Sequence, residues 1–507
     1  MPTVCLKGID NHLVTVPTGL FIDNEFVPAT RNATLDTENP ATGSLLASVS
    51  AAQKEDIDLA VQSAKRAYRT WRAESPGTRR NLLNKLADLV ERDATDLASL
   101  EALDAGILYR DSIGLHIHQA LENLRYFAGW ADKVDGLSLT IPEGMAYTRR
   151  EPIVGSVYKI SFLSHLLTVL ELRIYWLTHP DIYSMITVWK LAPALAGGNT
   201  LIIKTPEASP LYGQKLAQLI AEAGFPPGVV SIVCGLGTVA GKAISEHPDI
   251  RKVSFTGSAG AGRQVLAASA RTNLKRVTLE LGGKGPAIVF DDADWENALL
   301  WTTLGITVNN GQVCIAGSRI YVQSTIYQRF AEAFSARSRD AVHGDPLLPE
   351  TTKGPLINKM QREKVLSFVQ KGQASGAKLL HGGGGEENFV ANTAFLDVRQ
   401  DADIMQQEIF GPVACIAPFE TEEEVIEKAN DSAYGLSAAV FTNDLNKAFR
   451  VTEAMETGQV TVNVWGALNA NTPFGGMKES GFGRDMGKEA LDEWTVVKCV
   501  KWQIVRK

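Results

Sequence analysis

The chain has 507 residues, 45% of them hydrophobic and 21% charged, which suits a globular α/β protein too long for one core, so two or three domains are expected. A net charge of −7 offers no basic field, which argues against nucleic acid or anionic membrane as a partner. The five cysteines (Cys5, Cys234, Cys314, Cys415, Cys499) are scattered without a C-x-x-C pair, which speaks for a reducing compartment and against disulfides or structural zinc. The opening MPTVCLKGIDNHLVTVP carries no signal-like apolar run, so a cytoplasmic protein is expected.

Residues 55–104 have apolar positions three and four apart and are predicted to be helical, as is 111–133. From Thr200 onward, short apolar runs alternate with helix-like stretches. The runs are TLIIK (200–204), VVSIVC (229–234), KVSF (252–255) and RVTLE (276–280), with helices beginning near Leu211, Val239 and Ala259. Strands separated by helices of this length predict a parallel, doubly wound sheet. A second α/β stretch runs from Gly282 to about Phe441, with strands at SRIYVQ and SAAVF. The tail WTVVKCVKWQIV alternates as a strand does and could extend a sheet, in this subunit or a partner.

Two glycine motifs follow strands and open helices, as phosphate-binding turns do. In Gly235-Leu-Gly237 the acidic residue expected about 20 positions later is unconvincing. In Phe255-Thr-Gly257-Ser258-Ala-Gly260-Ala-Gly262, small residues let backbone N–H groups approach a pyrophosphate at a helix N-terminus. Either could be only a tight turn. Together with Lys204 and Glu207 at the end of a third strand they favour a dinucleotide, and Glu207 accepting from a ribose hydroxyl leans toward NAD over NADP.

Cys314 stands in a Gly- and Asn-rich loop, VNNGQVCIAG, 34 residues after Glu280 in RVTLELGGK. A lone free cysteine is usually an inert core residue, and a lone apolar-flanked Glu usually bonds backbone. As a pair, each followed by a glycine-containing turn, they supply a soft nucleophile and a carboxylate poised as a general base.

In order along the chain stand WKLAPALAGGNT, KTPEASP, FTGSAGAG, LELGGK, GQVC, EIFGPV and NTPFGGMKESGFGRD. From about Gly19 to the C-terminus this series resembles the NAD(P)-dependent aldehyde dehydrogenase superfamily. The resemblance implies an α/β fold: a Rossmann-like cofactor domain, an α/β catalytic domain and a small β oligomerisation arm. In this chain these would be 1–141 with 156–279, then 280–472, then 142–155 with 473–507. It implies Cys314 as nucleophile and Glu280 as general base. Cofactor contacts would come from Lys204 and Glu207 (adenosine ribose), from Gly237, Gly257, Ser258 and Gly262 (pyrophosphate side), and from Leu281, Gln361, Glu408 and Phe410 (nicotinamide side). The implied chemistry is thiolate addition to a small aldehyde, hydride transfer to NAD, with NADP possible, and hydrolysis of the thioester. A homodimer or homotetramer is implied.

One segment departs from the family. Where a Pro-Trp-Asn signature belongs, residues 156–186 read SVYKISFLSHLLTVLELRIYWLTHPDIYSMI, and no Asn occurs between Asn123 and Asn199. In the family that amide helps hold the oxyanion, and removing one such donor slows a reaction by about 10²–10³. By count from Gly155, Ser164 falls at its place and is a poor substitute. Glu171, Arg173 and His179 rule out a membrane span. The segment is either a true insertion or a mis-joined exon or translated intron, and the abrupt edges favour the latter. SVYKISF can still supply a strand.

Three functions compete: an aldehyde-oxidising NAD enzyme, a silent NAD-binding relative that lacks the oxyanion amide, and a thiol ester hydrolase without hydride transfer. His116 and His118 read as a helix surface and a packed ring rather than metal ligands, and no metal is expected. Aromatic residues near Trp465 to Asn471 suggest an apolar or aliphatic aldehyde.

Overall fold

The computed structural model describes residues 2–142, 144–153, 157–163 and 183–504, with backbone alone at 157–163 and at 183. Ser164, His165, Glu171, Arg173 and His179 lie outside the described residues.

The predicted N-terminal helices form at Lys54–Trp71, Pro76–Arg92, Ala94–Ala105 and His118–Trp130. Local chemistry fixes their ends. Gln53 and Asp56 form a reciprocal capping box, and Ser75 Oγ accepts from Thr78 N at 3.0 Å just ahead of Pro76. The third helix stops at Gly106, whose φ of +74° closes the turn. Their apolar faces, with Trp71, Leu83, Leu86 and Phe127, pack on the nearly all-apolar helix Tyr183–Ala196.

Eight strands make the first sheet. Its parallel centre runs, in space, Arg276–Glu280, Lys252–Gly257, Val157–Leu163, Thr200–Lys204, Val230–Val233, flanked by antiparallel Gly481–Phe482 on one side and by the hairpin Leu20–Ile22 and Glu25–Val27 on the other. In chain order these five strands lie 5-4-1-2-3, so the winding reverses at Val157–Leu163. Such a reversal leaves a crevice beyond the carboxyl ends of the strands. The SVYKISF strand expected inside the divergent segment is therefore the centre of the sheet. It pairs in parallel with Thr200–Lys204 on one side and Lys252–Gly257 on the other.

A second, seven-stranded sheet spans Pro286 to Val462 in chain position, parallel except for its edge strand Lys378–His381. The expected strands SRIYVQ and SAAVF are Arg319–Gln323 and Ser437–Phe441 within it. The C-terminal strand Thr495–Gln503 pairs in its own chain, antiparallel to Gly144–Pro152, which in turn pairs with Ser138–Ile141. Leu137, Val497 and Trp502 are exposed on or beside this small sheet, at 65%, 60% and 56%.

Candidate active site

Cys314 lies on a loop whose backbone is bent by design of its residues. Asn309, Asn310 and Gly311 all adopt positive φ (+47°, +56° and +66°), a conformation that Asn and Gly tolerate best. The Asn310 amide holds the loop by donating to the carbonyls of Gly354 (3.0 Å) and Pro355 (2.9 Å). Gln312 Oε1 accepts from Ile357 N at 3.1 Å, and Trp465 Nε1 donates to Ile315 O at 2.9 Å. The nucleophile is thus anchored on both flanks while its own side chain is only half-buried.

Glu280 ends the strand Arg276–Glu280 and is buried, as its Val-Leu-Leu neighbours implied. Burial pushes its carboxyl well above the ordinary carboxylate range, the Asp485 charge adds to the rise, and Lys190 and Arg484 oppose it. Its Oε2 has no hydrogen-bond partner among the described residues. Nearby, Lys190 Nζ and Asp485 Oδ2 form a buried ion pair at 2.5 Å.

Two glycines after Glu280 bring the pieces together. A Cβ at Gly282 would stand 2.2 Å from Glu408 Oε2, and one at Gly283 would stand 2.3 Å from the carbonyl oxygen of Cys314. Gly283 N donates to Glu408 Oε1 at 3.1 Å. Ser480 supports the turn from behind, its Oγ donating to Gly282 O at 2.7 Å and its carbonyl accepting from Leu281 N at 2.9 Å. The general-base strand, the nucleophile loop and the Glu408 carboxylate therefore converge on one glycine pair.

Glu408 is raised by burial and eased by Lys364 and the Gly283 N–H. Lys364, itself buried, is pushed down by desolvation, and its Nζ has no hydrogen-bond partner among the described residues. Phe410 is buried with a φ of +57°, a strained conformation for an aromatic residue. Gln361 holds that strained turn: its Nε2 donates to Phe410 O at 2.7 Å and Ile409 O at 3.3 Å. Its Oε1 is left without a partner among the described residues.

Toward the first sheet, Gly257 ends the strand Lys252–Gly257 and Ser258 caps the helix Ala259–Arg271, its Oγ accepting from Ala261 N at 3.3 Å. The Ser258 hydroxyl is therefore already engaged as a cap, leaving the first backbone N–H groups as the anion-facing donors. A Cβ at Gly262 would meet Leu281 Cδ2 at 2.8 Å, so this helix packs directly on the residue next to Glu280. Lys204 and Glu207 stand together at the end of the Thr200–Lys204 strand, Nζ to Oε2 3.2 Å. Gly237 opens the turn after the adjacent strand, beside Cys234, whose thiol burial pushes up to about 11. These positions lie at the carboxyl ends of the parallel strands of the first sheet.

Next to Cys314 the wall is apolar. Val313, Ile315, Trp189, Phe474, Trp465 and Leu468 share its cluster, and the Trp189 and Phe474 rings lie 5.0 Å apart.

Residues 26–162 and 183–500 match the model of the aldehyde dehydrogenase family. The chain belongs to that family. It is 44% identical over 491 residues to an aldehyde dehydrogenase of Davidiella tassiana (96% of this chain, 95% of the relative). It is also 44% identical over 499 residues to retinal dehydrogenase 2 of Mus musculus (97% and 92%). Among solved structures, the NAD+ complex of an aldehyde dehydrogenase from Bacillus cereus is similar, with TM-score 0.90, 41% identity, and 96% and 97% of the two chains covered. The match to the family model breaks only inside the segment whose sequence diverges, and the break is narrower than 156–186, since the Val157–Leu163 strand falls almost wholly within the matched part.

Lys190 and Asp485 went unassigned in the sequence, although both stand in family-like runs. The signal was there: a single lysine in WKLAPALA, among residues that bury, has to find a carboxylate. Lys364, Ser480 and the Gly282–Gly283 pair carried no such signal. His116 is buried with Nδ1 3.2 Å from Glu101, and His118 is exposed beside Glu122. Among the described residues no group of three or more His, Cys, Asp or Glu could hold a metal, and no helix is long and apolar enough to cross a membrane.

Proposed function

We propose that this chain oxidises a small apolar aldehyde to its carboxylic acid, using Cys314 as nucleophile, Glu280 as general base and NAD as oxidant. The observation that carries the reading is the convergence of the Cys314 loop, the Glu280 strand end and the Glu408 carboxylate on Gly282 and Gly283.

The residues present fit the cofactor. Gly260, where an added Cβ would meet nothing within 4 Å, and the helix N-terminus after Ser258 leave room for a pyrophosphate beside Gly257 and Gly262, Lys204 and Glu207 would hold the adenosine ribose, and Gly237 would border it. Glu408, Phe410 and Leu281, with Gln361 Oε1, which has no partner among the described residues, would hold the nicotinamide half. When bound, NAD supplies the acceptor for a hydride from the substrate carbon. A carboxylate at Glu207 repels a 2′-phosphate, which favours NAD over NADP.

Cys314 adds to the aldehyde carbon through its thiolate and holds the substrate as a thiohemiacetal, then as a thioester. Glu280, buried and raised, takes a proton from the water that attacks the thioester, and the acid leaves with the thiolate restored. Trp189, Phe474, Trp465 and Leu468 exclude bulk water and favour an apolar substrate.

A cofactor domain (1–141 with 156–279), a catalytic domain (280–472) and an arm (142–155 with 473–507) are supported by the three largest sheets, although Ser138–Ile141 pairs in the arm sheet and Gly481–Phe482 in the first sheet. The exposed apolar side chains at the small sheet support a homo-oligomer.

A second reading is favoured by one observation. Residues 124–198 contain no Asn, and the flanking asparagines have other duties: the Asn123 amide donates to Gln119 O at 2.8 Å, and that of Asn199 to Trp494 O at 2.9 Å. On this reading the chain binds NAD and turns over slowly or not at all. A single-turnover experiment with NAD and a short aliphatic aldehyde decides between them. A rapid NADH burst, lost in Cys314→Ala, supports oxidation; no burst with NAD still binding supports the silent relative. Ester cleavage that survives Cys314→Ala would exclude the thiol hydrolase.

A further inference from the structure

Away from the cofactor crevice, a cavity of about 560 Å³ opens between the first two helices and the small three-stranded sheet. Its lining carries five cations: Arg72, Arg79, Arg149, Arg150 and Lys498. Only two lining residues, Asp132 and Glu151, are acidic, so the walls hold three net positive charges in a protein whose total is −7. Neither carboxylate is idle. Glu151 pairs with Arg149 and, at 3.6 Å, with Lys498, and Asp132 pairs with Lys133 at 2.9 Å. Arg150 faces Asp492 at 2.8 Å.

Two cations form no ion pair within 4 Å of a carboxylate among the described residues, though the Glu74 charge acts on Arg79. The Arg72 guanidinium lies over the Tyr68 ring, its carbon 5.7 Å from the centroid. Arg79 is 9% exposed, donates from Nη1 to the Glu74 carbonyl at 3.1 Å, and leaves Nε with no acceptor among the described residues. A buried guanidinium left in this state is costly, because folding strips its water without replacing every bond. The site also faces a helix start. Pro76, first residue of a 17-residue helix with no acidic side chain in its first turn, lines the cavity, so the positive end of that helix adds to the field.

We propose that this cavity binds a diphosphate-bearing anion, gripped by Arg72, Arg79 and Lys498 and bridging the helical layer to the small sheet. A dianionic phosphate matches planar guanidinium forks, and the volume accommodates either free pyrophosphate or the phosphate end of a nucleotide. The inference is independent of the oxidation chemistry, since none of these residues borders Cys314, Glu280 or the cofactor positions.

Calorimetric titration of the full chain at physiological salt, with NAD at saturation to block the crevice, tests it. The probes are pyrophosphate, ATP and inorganic phosphate. Pyrophosphate is expected to bind once per chain, and Arg72→Gln and Lys498→Gln, both at exposed positions, are each expected to weaken it about tenfold while NAD affinity stays unchanged. ATP binding more tightly than pyrophosphate would identify the source as a nucleotide, and equal affinity would identify the bare diphosphate. The proposal is overturned if pyrophosphate shows no saturable binding in the NAD-loaded protein, or if both variants bind it as well as the parent does.

Discussion

Removing one or the other partner of the buried Lys190–Asp485 pair should move Glu280 in opposite directions. At 2.5 Å the two charges attract by roughly 7 kcal/mol at an effective dielectric constant of about 20, before their desolvation is counted. Leaving one of them buried and uncompensated costs about 3–5 kcal/mol. Lys190→Met and Asp485→Asn should differ in that respect: the first strands a carboxylate, the second leaves the lysine facing a neutral amide. The double variant Lys190→Met/Asp485→Leu strands nothing and should recover most of the stability. The catalytic effect has its own sign. Burial is the chief cause of the raised Glu280 carboxyl, Asp485 raises it further, and Lys190 lowers it. The working form is the carboxylate, so steady-state NADH production should rise with pH through the raised Glu280 pKa. That rise should shift to higher pH in Lys190→Met and to lower pH in Asp485→Asn. Steady-state rate against pH reads the shift, and the single-turnover burst, which precedes the Glu280 step, serves as the internal control. Shifts in the same direction, or a rise that persists unmoved in Glu280→Gln, would refute the coupling.

Glu280→Gln should also change stability with pH. A carboxyl raised in the folded state adds stability below its unfolded pKa and loses it as pH climbs through the folded value, so the variant should gain on the parent in alkaline denaturant titrations. Gly282→Ala places a methyl 2.2 Å from Glu408 Oε2. It should lower stability by about 1–3 kcal/mol and weaken NAD binding in calorimetry. Gly129→Ala, in a helix with nothing within 4 Å of the new Cβ, should instead be neutral or stabilising by about 0.5–1 kcal/mol. Glu207→Gln should narrow the preference for NAD over NADP, read as the ratio of the two kcat/KM values.

Much of this protein was legible along the chain. Alternation of short apolar runs with amphipathic stretches set the strands at Thr200–Lys204, Lys252–Gly257 and Arg276–Glu280 and the helices between them, because burial on both faces of a parallel sheet leaves no other pattern. SVYKISF announced a strand without the Pro-Trp-Asn signature that should follow it, since its β-branched and aromatic residues suit a sheet centre. Cys314 and Glu280 stood out because each is chemically unusual for its setting. What the chain could not disclose is how positions far apart in sequence come to touch. Lys190 meets Asp485 across 295 residues, and Gln361 meets Phe410 across 49. Gly282 and Gly283 look like any turn until Glu408 and the Cys314 carbonyl are seen against them. Local propensity and periodicity depend on neighbours within a turn or two and can be read in order. The field at Glu280, the strain at Phe410 and the cationic cavity beside Arg79 arise from charges and atoms brought together only when the sheets and helices pack, and tertiary structure alone decided them.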